Sequence, residues 1–268
     1  MRTAVRLDGR VTELVDETIA ELRAIHDRLA EKVSGLSADQ LAAQSGAEDW
    51  KVADVLSHLG SGAEISRHRV VAAAGTPDDA PANQEVWDRW NALAPADQAA
   101  DFLDHDEKLV ATYEAFTPEQ RESLRIDLGF LPQPVPLATS LAMRLSEAAL
   151  HGWDVEVGLD PSAGLSDRSA ELMLRHYSET LAFMFGFIGK PEGASPGRVT
   201  LGDHSIVVDA EGLRIEAGTD RATATFHGPL EAGVRMLSGR LKPEYTPNGV
   251  EVSGDITLDE LRKLFPGY

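Results

Sequence analysis

The sequence contains no cysteine among its 268 residues. This absence excludes a disulfide framework, a zinc site with cysteine ligands and a cysteine nucleophile. Any thiol chemistry therefore requires a thiol supplied from outside the chain. No segment reaches the ~20 consecutive apolar residues that span a bilayer, and the first residues, MRTAVRLDGRV, lack the apolar region of a secretory signal. We therefore expect a cytoplasmic protein without a membrane partner.

Basic residues are scarce. The chain has 25 lysines and arginines against 44 acidic residues, which gives a formal net charge of −19. Such a surface repels phosphate backbones, and no stripe of basic and aromatic residues offsets it. The composition therefore excludes a nucleic-acid partner, and the acidity itself favours solubility. We expect a monomer or a small homo-oligomer.

The first two thirds of the sequence have the apolar periodicity of amphipathic helices. The segment FLPQPVP (130–136) interrupts this pattern, because its three prolines remove backbone donors and fix φ. Asp49 is the predicted N-cap of the second helix. Long helices joined by short breaks indicate an antiparallel bundle. The predicted helices cover residues 11–35, 51–74, 95–116, 137–158 and 167–187.

The last third changes period. GKPEGASPGR (189–198) has the composition of a linker, and the segments after it alternate with period two and contain turn signals, which predicts short antiparallel strands. Pro229 suits the first turn of a helix that ends at Leu237, and TLDE (257–260) is a capping-box pattern that begins a last helix. The sequence therefore predicts an α+β protein: a helical bundle over 1–188 and a small α+β domain over 189–268.

The helix predicted over 137–158 carries a stripe of polar side chains although its other faces are apolar. This stripe fits two structures, a buried ion pair of Arg144 with Glu147 beside a hydrogen-bonded histidine, or a polar face that lines a cavity inside the bundle. The residues that share this sector of the helical wheel are Ser140, Met143, Arg144, Glu147, His151 and Asp154.

A histidine on the second predicted helix favours the cavity. His58 lies at the margin of the apolar face of DWKVADVLSHL, and Gly62, one turn later, leaves room beside its ring. Two histidines and one carboxylate are the usual three-ligand set of a catalytic zinc, which keeps its fourth position open. Glu147 and His151 can share one ion at i and i+4, and His58 from a facing helix can complete the set. The alternative is that each histidine is a buried core residue whose ring is hydrogen-bonded and that binds no metal.

Two motifs, DW…DVLSHL and E-x-x-x-H-x-W-D-V, resemble the mycothiol-dependent maleylpyruvate isomerase family, and the C-terminal LSGR…VEVSGDITLDELRKL continues the resemblance. The resemblance implies a DinB-like four-helix bundle joined to a domain similar to sterol-carrier proteins. It also implies a zinc ion held by His58, Glu147 and His151. The cosubstrate of this family is mycothiol, a small thiol. An external thiol agrees with the lack of cysteine in the chain.

The resemblance further implies a catalytic arginine in the C-terminal domain. Arg240 matches that pattern best, although Arg235 and Lys242 are close by. Arg144 shares the face of the ligands and is the first candidate for binding a dianionic substrate, with a structural pair to Glu147 as the alternative. Two arginines of the second helix, at positions 67 and 69, are candidates for binding the polar groups of the thiol.

Two residues of the family motif have structural explanations as well. Trp153 lies on the apolar side of its helix and is predicted to belong to the core. Asp154 either orients a ligand histidine or pairs with a helix start. We therefore leave both outside the predicted ligand set.

The sequence therefore predicts a zinc-dependent enzyme that activates mycothiol as a thiolate. The thiolate either isomerises a small electrophile, as with maleylpyruvate, or forms an S-conjugate with it. A metal-binding stress-response protein without enzymatic activity, and a metal-dependent hydrolase with water in the open position, are the alternatives. The expected partners are one small electrophile and one small thiol.

Overall fold

The computed structural model describes residues 2–76, 79–192 and 194–267, which divide into two compact units, one up to Asp160 and one from Pro161 onward. No helix within these ranges combines the length and the hydropathy that are needed to cross a membrane. Helices and strands are both present, which confirms the predicted α+β class.

Four long helices, α1, α3, α5 and α7, form the first unit: α1 and α3 each pack against both α5 and α7. This arrangement is the helical bundle that the sequence predicts. The short strands pair antiparallel across the proline-rich segment. The elements of this unit are α1 (Arg2–Val33), α2 (Ala38–Leu41), α3 (Val52–Ala73), α4 (Asn83–Asn91), α5 (Pro95–Glu114), α6 (Pro118–Ser123), β1 (Arg125–Ile126), β2 (Val135–Pro136) and α7 (Leu137–Leu159).

Helix α7 lies inside the bundle. Its apolar residues Leu141, Leu145 and Trp153 are buried, as predicted for Trp153, and so are the polar residues His151 and Asp154 on its other face. A helix that is apolar around most of its circumference is expected to be buried. Most of the polar stripe of α7 is therefore enclosed by the bundle, and Glu147 within it is half-buried.

The structure corrects the start of α3. The predicted N-cap was Asp49, but the helix begins at Val52, and the backbone N–H of Lys51 donates to the Asp54 carboxylate over 2.8 Å. A carboxylate three residues into the helix satisfies a backbone donor as well as a side chain at the N-cap does. Asp49 is instead exposed beside Trp50.

Helix α4 was absent from the sequence prediction. Trp90 anchors it in the core: the indole N–H donates to Glu64 over 2.8 Å, and the ring packs on Gly60, where a Cβ atom would lie 2.2 Å from it. Contacts with residues of another helix therefore hold α4 in place. The apolar periodicity of a nine-residue helix is too short to predict it from the sequence.

The second unit is built on a five-stranded sheet of order β5-β4-β3-β6-β7. Its pairings are antiparallel except that of β3 with β6, which is parallel and corrects the all-antiparallel prediction. The strand β6 follows β5 in the sequence but pairs with β3 in the sheet. No hairpin therefore connects β6 to its neighbour, and its direction is not constrained to be antiparallel. The elements are α8 (Asp167–Glu179), α9 (Phe185–Ile188), β3 (Gly197–Leu201), β4 (His204–Asp209), β5 (Gly212–Ala217), β6 (Ala224–His227), α10 (Leu230–Leu237), β7 (Glu251–Gly254) and α11 (Leu258–Leu264).

The division after Asp160 precedes the predicted boundary at 188/189. Helix α8, which the sequence prediction placed in the bundle, packs against α10 and β5 of the second unit. Helix α10 ends at Leu237 as predicted, and α11 has the predicted capping box: the Glu260 N–H donates to Thr257 Oγ1 over 3.2 Å, and the Thr257 N–H donates to the Glu260 carboxylate over 2.7 Å.

His176 makes the second unit sensitive to acid. Burial, together with the charge of Arg175, lowers the pKa of this imidazole to about 4. An unfolded histidine titrates near ~6.5, so between these pH values the unfolded chain binds the extra proton and stability falls as the pH falls. We expect His176 alone to cost about 2 kcal/mol of unfolding free energy between pH 7 and pH 5.

Urea unfolding at both pH values measures this effect. The variant His176→Gln is expected to lose clearly less stability on acidification than the wild type. His227→Gln is the control, because His227 is exposed. An unchanged pH dependence in His176→Gln would show that His176 is not the sensitive group.

Candidate metal centre

Three side chains of the first unit converge on one point. His58 of α3 and Glu147 and His151 of α7 each offer one donor atom, and these atoms all lie within 4.8 Å of one another. The i, i+4 spacing places Glu147 and His151 on the same face of α7, and the packing of α3 on α7 brings His58 opposite them. The residues that the sequence predicted as a ligand set are therefore brought together.

The distances fit a small metal ion. His58 Nε2 lies 2.8 Å and His151 Nε2 lies 3.7 Å from Glu147 Oε2, and the two imidazole centroids are 4.6 Å apart. Ligand atoms at ~2.1 Å from a tetrahedral zinc are about 3.4 Å from each other. The donor set, two imidazoles and one carboxylate, is also that of catalytic zinc with an open fourth position. These residues therefore fit the zinc that the resemblance implies.

Asp154 orients one of the histidines. The Nδ1–H of His151 donates to Asp154 Oδ2 over 2.9 Å, and Asp154 is fully buried. This contact fixes the tautomer of His151 that leaves Nε2 free to bind a metal. Of the two roles that the sequence left open for Asp154, the structure gives the orienting one.

Gly46 allows this arrangement. Its backbone N–H donates to the Asp154 carbonyl over 2.8 Å, and a Cβ atom at this position would lie 2.8 Å from Asp154 Oδ1 and 2.7 Å from Val157 Cγ1. Such contacts are shorter than real side chains tolerate, so any larger residue has to displace Asp154 or the helix that carries it.

We expect Gly46→Ala to lower the unfolding free energy by about 1–3 kcal/mol, the usual effect of overpacking. It should also weaken metal binding, because Asp154 moves away from His151. Gly35→Ala is the matched control, since its Cβ would meet nothing within 4 Å. Urea unfolding and metal titration of both variants test this expectation. Equal behaviour of the two variants would contradict it.

Glu147 is ionised at neutral pH. Burial disfavours its charge, but the hydrogen bond with His58 and the charges of His151, His58 and Arg144 outweigh burial and lower the pKa of Glu147 to about 2. A carboxylate that binds a metal ion has to be deprotonated. The surroundings of Glu147 therefore keep it in the form that a ligand requires.

Arg144, predicted as a candidate for substrate binding, is buried and holds other partners. Its Nη2 donates to Asp106 Oδ1 over 2.6 Å, and both Nη atoms donate to the Leu59 carbonyl over 3.3 Å. The sequence offered Glu147 as its ion-pair partner, but the partner is Asp106. Asp106 also accepts from His26 Nδ1 over 2.8 Å. Burial opposes its ionisation, but His26 and Arg144 lower the pKa of Asp106.

A pocket of about 480 Å³ opens beside the ligand histidine of α3. Trp50 forms a wall of the site, with its ring centroid 5.0 Å from that of His58 and 5.8 Å from that of His151. Trp87 and Asn91 come from α4, and the sequence prediction missed both. The two tryptophans of the segment WDRW (87–90) were the one feature that could have indicated a helix packed against the core there. The pocket is lined by Asp49, Trp50, Asp54, His58, Ser61, Trp87 and Asn91.

The predicted arginines of the second unit differ in their surroundings. Arg235 is buried and binds the Glu231 carboxylate through Nε and Nη2, at 2.7 and 2.9 Å. Arg240 is half-buried, and its Nη1 donates to the Ser238 carbonyl over 3.4 Å. Of these two, Arg240 is the more accessible, and its catalytic role stays a prediction.

The arginines of α3 were candidates for binding polar groups of the thiol, with a solvated helix end as the alternative. Arg69 has partners within the chain. It donates to the Leu128 carbonyl and, over 3.4 Å, to Asn83 Oδ1. Arg67 lines a second groove, whose lining does not include the ligand histidine.

Comparisons with known proteins agree with this architecture. The family model of the mycothiol maleylpyruvate isomerase N-terminal domain matches residues 22–156, half of the chain, and this range includes all three candidate ligands. Two crystal structures of the mycothiol-dependent maleylpyruvate isomerase share the fold with a TM-score of 0.58, one of them of a histidine-to-alanine mutant. They are 18% and 19% identical to this chain, and the match covers 90% of it and 94% of each of them. No curated protein sequence is significantly similar to the chain.

Proposed function

The chain belongs to the mycothiol maleylpyruvate isomerase N-terminal domain family, and on this premise we propose that it is a metal-dependent enzyme that uses mycothiol to isomerise a small electrophile. His58, Glu147 and His151 hold a divalent metal, with zinc as the expected ion. The convergence of their three donor atoms within 4.8 Å carries this proposal.

When bound, zinc supplies a Lewis acid that lowers the pKa of a coordinated thiol, and so makes mycothiol a nucleophile at neutral pH. The residues of the chain orient and enclose the reactants. Asp154 holds the imidazole of His151, and Trp50 covers the two histidine rings on one side. The pocket beside His58 offers indole faces together with the polar groups of Ser61 and Asn91.

The proposed reaction passes through an adduct of the thiol. The sulfur of mycothiol adds to an activated carbon–carbon double bond, and a proton is taken up at the neighbouring carbon. The resulting single bond allows rotation. Loss of the proton from the neighbouring carbon, together with cleavage of the carbon–sulfur bond, then releases the thiol and re-forms the double bond in the trans configuration. Addition without elimination would give an S-conjugate, so the same site supports S-transfer to a suitable substrate.

Incubation of the purified protein with mycothiol and a panel of electrophiles, followed by mass spectrometry, tests the proposal. Isomerised product that requires mycothiol is the expected result. Accumulated S-conjugates would favour transferase activity, and turnover without any thiol would favour a hydrolase. Absence of bound metal in the purified protein would overturn the proposal, because each of its steps depends on the metal site.

Arg240 is the proposed contact of a substrate carboxylate. Loss of a hydrogen bond to a charged group costs about 1.5–3 kcal/mol, so Arg240→Ala is expected to lower kcat/KM by about 10- to 100-fold. Metal content should be unchanged. Lys242→Ala is the control for a general effect of charge, since Lys242 is also half-buried and lies two residues further on. Equal losses in both variants would contradict a specific role of Arg240.

A further inference from the structure

A buried polar network joins all four long helices of the bundle. His26 of α1 donates to Asp106 of α5 over 2.8 Å, and Asp106 accepts from Arg144 of α7 over 2.6 Å. Both Nη atoms of Arg144 donate over 3.3 Å to the carbonyl of Leu59 on α3. The three side chains are each about 6–8% exposed. Each helix therefore contributes one group to a single hydrogen-bonded chain.

This network lies next to the candidate metal centre along both ligand helices. Leu59, whose carbonyl accepts from Arg144, directly follows the ligand His58 in α3. Arg144 precedes the ligand Glu147 by three residues in α7. Gly62 faces the guanidinium, and a Cβ atom there would lie 3.5 Å from Arg144 Nη1. The contact between Arg144 and Leu59 therefore fixes α3 against α7 close to the position where the two helices present their ligands.

Stability alone does not account for such a network. Replacing a buried ion pair with apolar residues of similar volume is often neutral or stabilising. Hydrogen bonds supply direction, whereas apolar contacts tolerate sliding. Metal and catalytic sites need their groups held to within about 0.5 Å, and a small slide of α3 along α7 would separate His58 Nε2 from Glu147.

We propose that Asp106 is a positioning residue for the metal centre: through Arg144 it fixes the register of α3 and α7, and thereby the distance between His58 and Glu147. The inference rests on the metal site of the proposed function. Neither Asp106 nor Arg144 binds the metal. They act by keeping the ligands in place.

The test compares zinc affinity and fold in matched variants. Asp106→Leu combined with Arg144→Met removes both members of the ion pair, and Glu107, whose carboxylate lies 3.1 Å from His26 Nε2, remains as a partner for the imidazole, so the bundle is expected to fold. Its zinc affinity, measured by competition with a chromophoric chelator, should fall by at least ~10-fold, as is typical when partners of metal ligands are removed. The visible spectrum of the cobalt-substituted protein should change as well. Arg144→Lys keeps a charge for Asp106 but loses the guanidinium fork. Arg144→Lys should therefore also lower the zinc affinity, and it tests the positioning role if the double variant does not fold.

Glu156→Gln is the control. Glu156 is also a buried carboxylate of α7 and binds Arg28 over 2.9 Å, but its partners belong to α1. This variant should lose stability and keep wild-type zinc affinity. Unchanged affinity in both network variants, or an equal loss in the Glu156→Gln control, would overturn the positioning role of Asp106. A wild-type protein that binds no zinc would overturn the proposed function itself.

Discussion

Replacing Glu147 with alanine is expected to lower the affinity for zinc by at least ~100-fold and to abolish thiol-dependent turnover. Loss of a residue that only orients a ligand costs about 10–100-fold, and Glu147 is proposed as a ligand itself. Its carboxylate is also the group that both histidines face, at 2.8 and 3.7 Å. Without it, only two neutral imidazoles remain as ligands, and no anionic ligand is left to balance the charge of the ion.

His58→Ala and His151→Ala should behave in the same way, with metal and activity lost together. Ser146→Ala is the control on the same helix, because Ser146 donates to the Ala142 carbonyl of its own helix over 3.1 Å. Metal content by elemental analysis and affinity by chelator competition measure the effect. Full metal content in any of the three ligand variants would show that the ligand assignment is wrong.

Asp106→Asn is expected to destabilise the bundle by about 3–5 kcal/mol, the usual cost of breaking a buried ion pair from one side. The substitution removes the charge that Arg144 and His26 face, so a buried guanidinium is left without a counterion. Since whole domains are stable by only about 5–15 kcal/mol, this variant should unfold at much lower urea concentration than the wild type.

The double variant Asp106→Leu with Arg144→Met separates stability from positioning. It should recover most of the stability that Asp106→Asn loses, because no guanidinium is left buried without its carboxylate. Its zinc affinity should nevertheless stay low. Equal stability of Asp106→Asn and the wild type would contradict the buried ion pair itself, and would leave Arg144 available for another role.

The candidate ligands could be predicted because their relationship is mostly local. Glu147 and His151 are one helical turn apart, so periodicity alone places them together. The helix that carries His58 was also evident from its apolar pattern, although its start at Val52 was displaced from the predicted one. That His58 faces α7 was proposed from the usual ligand set of catalytic zinc and from the family resemblance, because spacing along the chain does not determine which helices pair.

The supporting residues could not be predicted, because their partners are distant in the sequence. His26 has no acidic or histidine residue three or four positions away, so nothing in the sequence marks it, yet it binds Asp106, 80 residues away. The sequence around Gly46 contains no pattern that predicts its contact with Asp154. The helix α4, which brings Trp87 to the pocket, is held by tertiary contacts of Trp90.

The domain boundary also depends on tertiary packing. The composition of 189–198 is that of a linker, but composition does not reveal that α8 packs against α10 and β5. In the same way, the parallel pairing of β3 with β6 follows from the order of strands in the sheet. Alternating patterns predict which residues form strands, but they do not predict which strands pair with each other in the sheet.

The most direct test of the account is a titration of the cobalt-substituted protein with mycothiol, followed by absorption spectroscopy. A band of sulfur-to-cobalt charge transfer should appear with one equivalent of mycothiol per chain, and should be absent in His58→Ala. This result would place a thiolate on a metal held by the three ligands. Stoichiometric cobalt binding without any such band at saturating mycothiol would contradict the account.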